Sequence, residues 1–191
     1  MGGNVAGRGA RRRTNLALIG FMGTGKSTVG RLVAKRLGMD FLETDALVER
    51  EAGKTIPRIF SEDGEAAFRA FEERACRLAA RREGTVISCG GGVVLNPVNL
   101  EALRTSSILV LLEATPREIL ERTLGEGKEK RPLLDVDDPL RAVEDLLEYR
   151  RPFYEAATPH RVDTTGLDPH ACVEQVIAAF KRALSETGAP C

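Results

Sequence analysis

The eight residues Gly20-Phe21-Met22-Gly23-Thr24-Gly25-Lys26-Ser27 limit what this chain can fold into more than any other stretch. They follow Leu16-Ala17-Leu18-Ile19, a short apolar run of the kind that forms a strand buried on both faces of a parallel sheet. They precede Val29, Leu32, Val33 and Leu37, which recur at helical spacing until Gly38 closes the run. In a strand-to-helix turn of the pattern G-x-x-x-x-G-K-[ST], glycines let successive backbone N–H groups turn inward around phosphate oxygens. The helix then adds its positive N-terminal end. Gly23, Thr24, Gly25, Lys26, Ser27 and Thr28 are therefore the expected nucleotide contacts. Lys26 is expected to reach the β- and γ-phosphates, and Ser27 to offer its hydroxyl to Mg²⁺.

Phosphate binding of this kind has to be local, because 28 basic residues balance 28 acidic ones and the formal net charge is zero. No global field draws in nucleic acid or an anionic membrane. The length of 191 residues fits one domain. Cys76, Cys89, Cys172 and Cys191 form no C-x-x-C pair, and His160 and His170 stand apart from them, so a zinc set is not expected. With no secretory segment and no long apolar run, these read as structural free thiols in a reducing cytoplasm. A monomer is expected.

Strand and helix signals alternate along the chain. Phe41-Leu42 reads as a strand, and Asp45 as the start of a helix that ends near Gly53. Thr55 to Arg82 reads as helical with a break at Gly64. Thr85 to Ser88 and Ile108 to Leu112 read as strands, Pro116 to Leu124 and Pro139 to about Tyr154 as helices, Arg161 to Asp163 as a last strand, and Pro169 as the start of a closing helix. Five strands separated by helices predict an α/β fold, three layers (α/β/α) around a parallel sheet, in one domain over 15–186. Residues 1–14, rich in Gly and Arg, and residues 187–191 read as tails. The glycine-rich, charged stretch at about 125–138 has the composition of a surface linker or a lid, and a phosphate site beside it favours the lid.

What receives the phosphate has to be read elsewhere, since many enzyme classes share this loop. The N-K-x-D motif by which GTPases read their base is absent. Glu43-Thr44-Asp45 places two carboxylates at the carboxyl edge of the sheet, where open α/β folds bind ligands. Asp45 can cap the helix it starts, and it can also orient a hydroxyl acceptor and take up its proton. Ser88-Cys89-Gly90-Gly91-Gly92 ends the third strand, and three successive glycines there suggest close approach of a ligand. Ser88 stands where an aspartate commonly contacts the metal, which leaves Ser27, water and the Glu43/Asp45 pair for that task.

Taken together, Gly64-Glu65, Phe68-Arg69, Glu72, the triple glycine, Arg131-Pro132-Leu133-Leu134 and Tyr149-Arg150-Arg151-Pro152-Phe153-Tyr154 resemble the shikimate kinase family from about Leu16 to Lys181. The resemblance implies a nucleoside-monophosphate-kinase-like fold with a lid, ATP as co-substrate, Mg²⁺ as cofactor and phosphorylation of the 3-hydroxyl of shikimate, on the route to chorismate and the aromatic amino acids. It also assigns roles: Asp45 binds and deprotonates the acceptor hydroxyl, Arg69 and Arg150 hold the shikimate carboxylate, and Gly90, Gly91 and Gly92 line the acceptor. Arg131 swings over the phosphates, and Arg122 stacks on adenine beside the loop 164–169. Planar guanidinium groups suit that carboxylate, and Glu72, one helical turn from Arg69, can hold it in place. Glu43 departs from the aspartate usual there, and Leu167 from an arginine found in many relatives.

Two other readings compete. Gluconate kinase shares the loop and frame but has no reason to keep Arg69, the triple glycine and Arg150 together. A ligand-sensing module on the same fold would tolerate loss of Lys26, Asp45 or Arg131, yet all three are present.

Overall fold

The computed structural model describes residues 15–125 and 136–186. The expectations for both tails, and for the part of the proposed lid that contains Arg131, lie outside them.

A five-stranded, all-parallel sheet forms the middle layer, in the order β2-β3-β1-β4-β5. Its strands are β1 (Asn15–Ile19), β2 (Asp40–Glu43), β3 (Thr85–Ser88), β4 (Ser107–Glu113) and β5 (Arg161–Asp163). Alternate side chains go to opposite faces. Ala17, Ile19, Ile87, Leu109 and Leu111 join one core cluster, while Leu16, Leu18, Val86, Val110 and Leu112 join the other. That explains the unbroken apolar runs, because both faces are covered. On the second face lie α1 (Lys26–Leu37) and α8 (Pro169–Glu186), whose Val29, Val33, Val176 and Phe180 are buried there. The first face is covered by α2 (Thr44–Ala52), α3 (Ile56–Glu62), α4 (Gly64–Ala79), α5 (Pro97–Arg104), α6 (Pro116–Gly125) and α7 (Pro139–Ala157).

Since β1 has β3 on one side and β4 on the other, the turn after β1 sits at the switch point where connections leave in opposite directions. The register Leu18↔Ser88 and Glu43↔Ser88 brings the ends of β1, β2 and β3 together at one edge. This is how residues far apart in the chain come to face one cleft.

Several expected boundaries move. The second helix starts at Thr44 with Glu43 as its N-cap, and Asp45 lies inside the first turn, so Asp45 is not the cap. Thr44 is drawn in because its Oγ1 accepts the Gly90 N–H at 2.8 Å, which fixes the turn one residue early. Helix α4 stops at Ala79, short of Arg82. Helix α7 runs through Pro152 to Ala157, although an interior proline removes one helical hydrogen bond. Tyr154 and Ala157, 5% exposed each, bury the extra turn and hold it. Helix α5 has no counterpart among the expected elements. Asn96 caps it by accepting the Val98 N–H at 3.0 Å, and Pro97 sits in its first turn, a start signal that the sequence does contain.

Candidate active site

Gly20 to Gly25 leave β1 in a tight turn that the backbone itself dictates. Gly20, Gly23 and Gly25 have φ of 142°, 72° and 88°, values that side chains other than glycine rarely adopt. The turn is held from inside: Lys26 Nζ donates to the Phe21 carbonyl at 2.7 Å, and Thr24 Oγ1 donates to the same oxygen at 2.8 Å. Helix α1 begins at Lys26 with no acidic residue in its first turn, and its positive end faces the cleft. Ser27 Oγ lies 3.3 Å from Ser88 Oγ, so the serine that replaces the usual aspartate meets the loop directly.

The cleft has a volume of about 390 Å³, and Gly23 to Thr28, Glu43, Asp45, Ser88 and Gly91 line one end. At the other end Arg122 donates to Thr164 Oγ1 at 3.0 Å, to the Thr164 carbonyl at 2.8 Å and to the Gly23 carbonyl at 3.4 Å. Glu118, one turn earlier on α6, holds Arg122 at 2.8 Å. Leu167 reaches the cleft as an apolar wall and packs on the second core cluster. Glu43 also lines the cleft, but its longer arm pairs with Arg31 of α1. Burial pushes the Cys89 thiol beside Lys26 up to about 12, which keeps it neutral and supports a structural role.

The remaining expected residues gather around the triple glycine. Arg69 of α4 is gripped by Glu72 at 3.0 Å and by Glu65 at 3.0 Å. Glu72 is 1% exposed, and Asn99 of α5 donates at 3.4 Å to the same oxygen, Oε2, that Arg69 grips. Burial pushes the Glu72 carboxyl above its ordinary value, Arg69 pulls it back, and neighbouring Asp45 pushes it further up. A methyl group at Gly90 would lie 2.5 Å from Asp45 Oδ1, and one at Gly92 would lie 2.6 Å from Arg69 Nη1. Arg150 Nη1 approaches Gly91 from α7, 3.8 Å from where a methyl group would sit. Three successive glycines suggest room for a ligand; in the fold, two of them make room for the side chains of Asp45 and Arg69. Glu65, Asn99, Phe21 and Tyr154 belong to this environment and were not expected in it. Spacing on α4 reveals Glu65, four residues before Arg69, but the other three meet the site only through the fold.

The chain is similar to known proteins in sequence and in fold. A family model described as shikimate kinase matches residues 22–181. A shikimate kinase of Caldanaerobacter subterraneus subsp. tengcongensis is 44% identical over 87% of this chain and 95% of its own. The structure of the shikimate kinase from Acinetobacter baumannii in complex with shikimate superposes with a TM-score of 0.80 at 34% identity, covering 91% of this chain and 94% of that one. A gluconokinase from Sinorhizobium meliloti shares the fold at a TM-score of 0.59 and 19% identity, over 93% of this chain and 97% of that one. With a family model matching most of its length and relatives above 40% identity, the chain belongs to the shikimate kinase family.

Proposed function

We propose that this chain transfers the γ-phosphoryl group of ATP to the 3-hydroxyl of shikimate, giving ADP and shikimate 3-phosphate. The observation that carries this reading is the convergence of Asp45, Arg69 and Arg150 on Gly90 to Gly92, beside the phosphate loop. Two guanidinium groups facing one turn suit an acid acceptor, and the carboxylate of Asp45 stands between that turn and the loop.

In this reading the backbone N–H groups of Gly23 to Thr28 and the Lys26 ammonium cradle the phosphates, and Arg122 with Leu167 borders the base. Lys26 exchanges its bond to the Phe21 carbonyl for a phosphate oxygen. Arg69 and Arg150 take the carboxylate of shikimate, and the Gly91 N–H donates to the same molecule. Asp45 orients the acceptor hydroxyl toward the γ-phosphorus and takes its proton as the bond forms. Arg131 is assigned, on the family's pattern, to the charge that develops on the transferred group. Catalysis is then positioning plus charge neutralisation.

The residues present fit Mg²⁺ held chiefly by the nucleotide. Ser27 and Ser88 pair their hydroxyls at the start of α1, Asp45 lines the same cleft, and among the described residues no cluster of three His, Cys, Asp or Glu could grip a metal alone. Ser27 would be the direct ligand, with Asp45 acting through water; Glu43 is drawn aside by Arg31. Mg²⁺ bound there supplies positive charge against the triphosphate. No described helix is long and apolar enough to cross a membrane, and we propose a cytoplasmic monomer.

A coupled ADP-release assay, with shikimate and gluconate offered in parallel, tests the reaction and the acceptor together. Turnover of shikimate is expected. Turnover of gluconate alone would overturn the acceptor, and shikimate binding without ADP release would make the chain a sensing module.

A further inference from the structure

The two arginines assigned to the acceptor's carboxylate are aimed in different ways. Arg69 is held by carboxylates of Glu65 and Glu72 on its own helix. Arg150 stands with its guanidinium carbon 5.4 Å from the centre of the Phe21 ring, within the range of a cation–π contact. Its Nε is buried without a hydrogen-bond partner. Tyr154, one turn further along α7, donates its hydroxyl to the Gly91 carbonyl at 2.7 Å. Burial lifts the Tyr154 pKa to about 12, against the charge and the hydrogen bond of neighbouring Arg150, so Tyr154 stays a protonated donor.

We infer that Phe21 and Tyr154 are positioning residues for Arg150, setting the direction in which its guanidinium meets the acceptor's carboxylate. The inference rests on the reading that Arg150 binds that carboxylate. A supporting carboxylate would hold a guanidinium by occupying part of its donor fork, as happens at Arg69. The Phe21 face stabilises the charge without using an N–H and Tyr154 is a neutral partner, so no carboxylate competes at Arg150 with an incoming acid. Phe21 belongs to the phosphate loop and Tyr154 pins the glycine turn. The same pair therefore fixes Arg150 relative to both surfaces between which the acceptor has to fit.

Both residues are buried, at 1% and 5% exposure, so ordinary core packing is the rival explanation. Steady-state kinetics, ADP titration calorimetry and thermal melting of Phe21→Leu, Tyr154→Phe and Arg150→Lys separate the two. Phe21→Leu keeps an apolar side chain and the loop's backbone, and Tyr154→Phe removes one oxygen. Each is expected to raise the KM for shikimate about fivefold, with ADP affinity unchanged. Combined with Arg150→Lys, neither should raise that KM further, because the group being aimed has already changed. A lowered Tm with unchanged shikimate KM in both single variants would make them packing residues only and overturn the inference. Loss of ADP affinity in step with shikimate affinity would also overturn it, by showing that Phe21 acts through the phosphate loop. If Phe21→Leu fails to fold, Tyr154→Phe carries the test. An unchanged shikimate KM in Arg150→Lys would overturn the assignment of Arg150 itself, an outcome distinct from the other two.

Discussion

The phosphate loop and the turn that follows β3 contain three glycines each, yet the surroundings of the two sets differ. Gly20 and Gly23 have positive φ, and a methyl group added to them would meet backbone, the Leu112 carbonyl oxygen at 2.2 Å and the Ile119 carbonyl oxygen at 2.9 Å, with the Thr123 hydroxyl at 2.8 Å beside the latter. Gly90 and Gly92 are not among the glycines with positive φ, and a methyl group there would meet the ends of flexible side chains. The first cluster is a condition of the fold. The second is room left for the side chains of Asp45 and Arg69. A turn shaped by backbone should tolerate little added bulk, whereas one shaped around side chains should be open to disturbance while the fold survives.

The comparison breaks most visibly at Gly20. Gly20→Ala should cost more than about 4 kcal/mol, through strain and a backbone clash together, and circular dichroism should show no folded protein. A folded, ATP-binding Gly20→Ala variant would sink the idea that this loop is dictated by the fold. Next comes Asp45→Asn, which should lower turnover by about 10³-fold while calorimetry shows unchanged ADP binding. Equal losses in both would move Asp45 out of the acceptor half.

Gly92→Ala sharpens the contrast, since it should fold with a Tm close to that of the parent and raise the KM for shikimate about tenfold by displacing Arg69. Gly91→Ala is its partner, because the nearest atoms, at 3.6 to 3.8 Å, leave ordinary space for a methyl group. Its Tm should not move, so any rise in shikimate KM reports the acceptor's own approach to that glycine.

The smallest effect is expected at the start of α8. The N–H groups of Ala171 and His170 hold the Asp168 carboxyl below its ordinary value. A lowered folded value means stability that is present above the unfolded pKa, near 4, and lost as pH falls through the folded one. Asp168→Ala should therefore lower Tm by a few degrees at pH 7, and the gap should close in acid. A gap that persisted below both values would point to packing.

The phosphate loop and the sheet could be read directly from the chain because their signals are contiguous and set by the backbone. Leu16 to Ile19, Gly20 to Ser27 and Val29 to Leu37 each announce an element within a few residues. Arg69 and Glu72 were legible for the same reason, being neighbours on one helix. The start of α2 was misplaced because Thr44 answers to Gly90, a partner that no local pattern can show. Helix α5 was missed because its eight residues bury only two apolar side chains, Leu100 and Leu103, too few to show a helical period, although Asn96-Pro97 marks its start. The Phe21 ring under Arg150, and Arg31 drawing Glu43 aside, depend on how α7 and α1 dock, and so became visible only in the folded chain.

The bonds that tie Arg122 to Gly23 and Thr164 have a consequence for the thermodynamics of nucleotide binding. Thr164 Oγ1 also reaches the Thr24 carbonyl at 3.3 Å and the Glu113 carbonyl at 2.9 Å, so the loop that opens at Thr164 is fastened to β4 and to the phosphate loop before any nucleotide arrives. Little chain entropy is left to lose at that wall when ATP binds. The entropic cost of association should then fall mainly on the nucleotide itself.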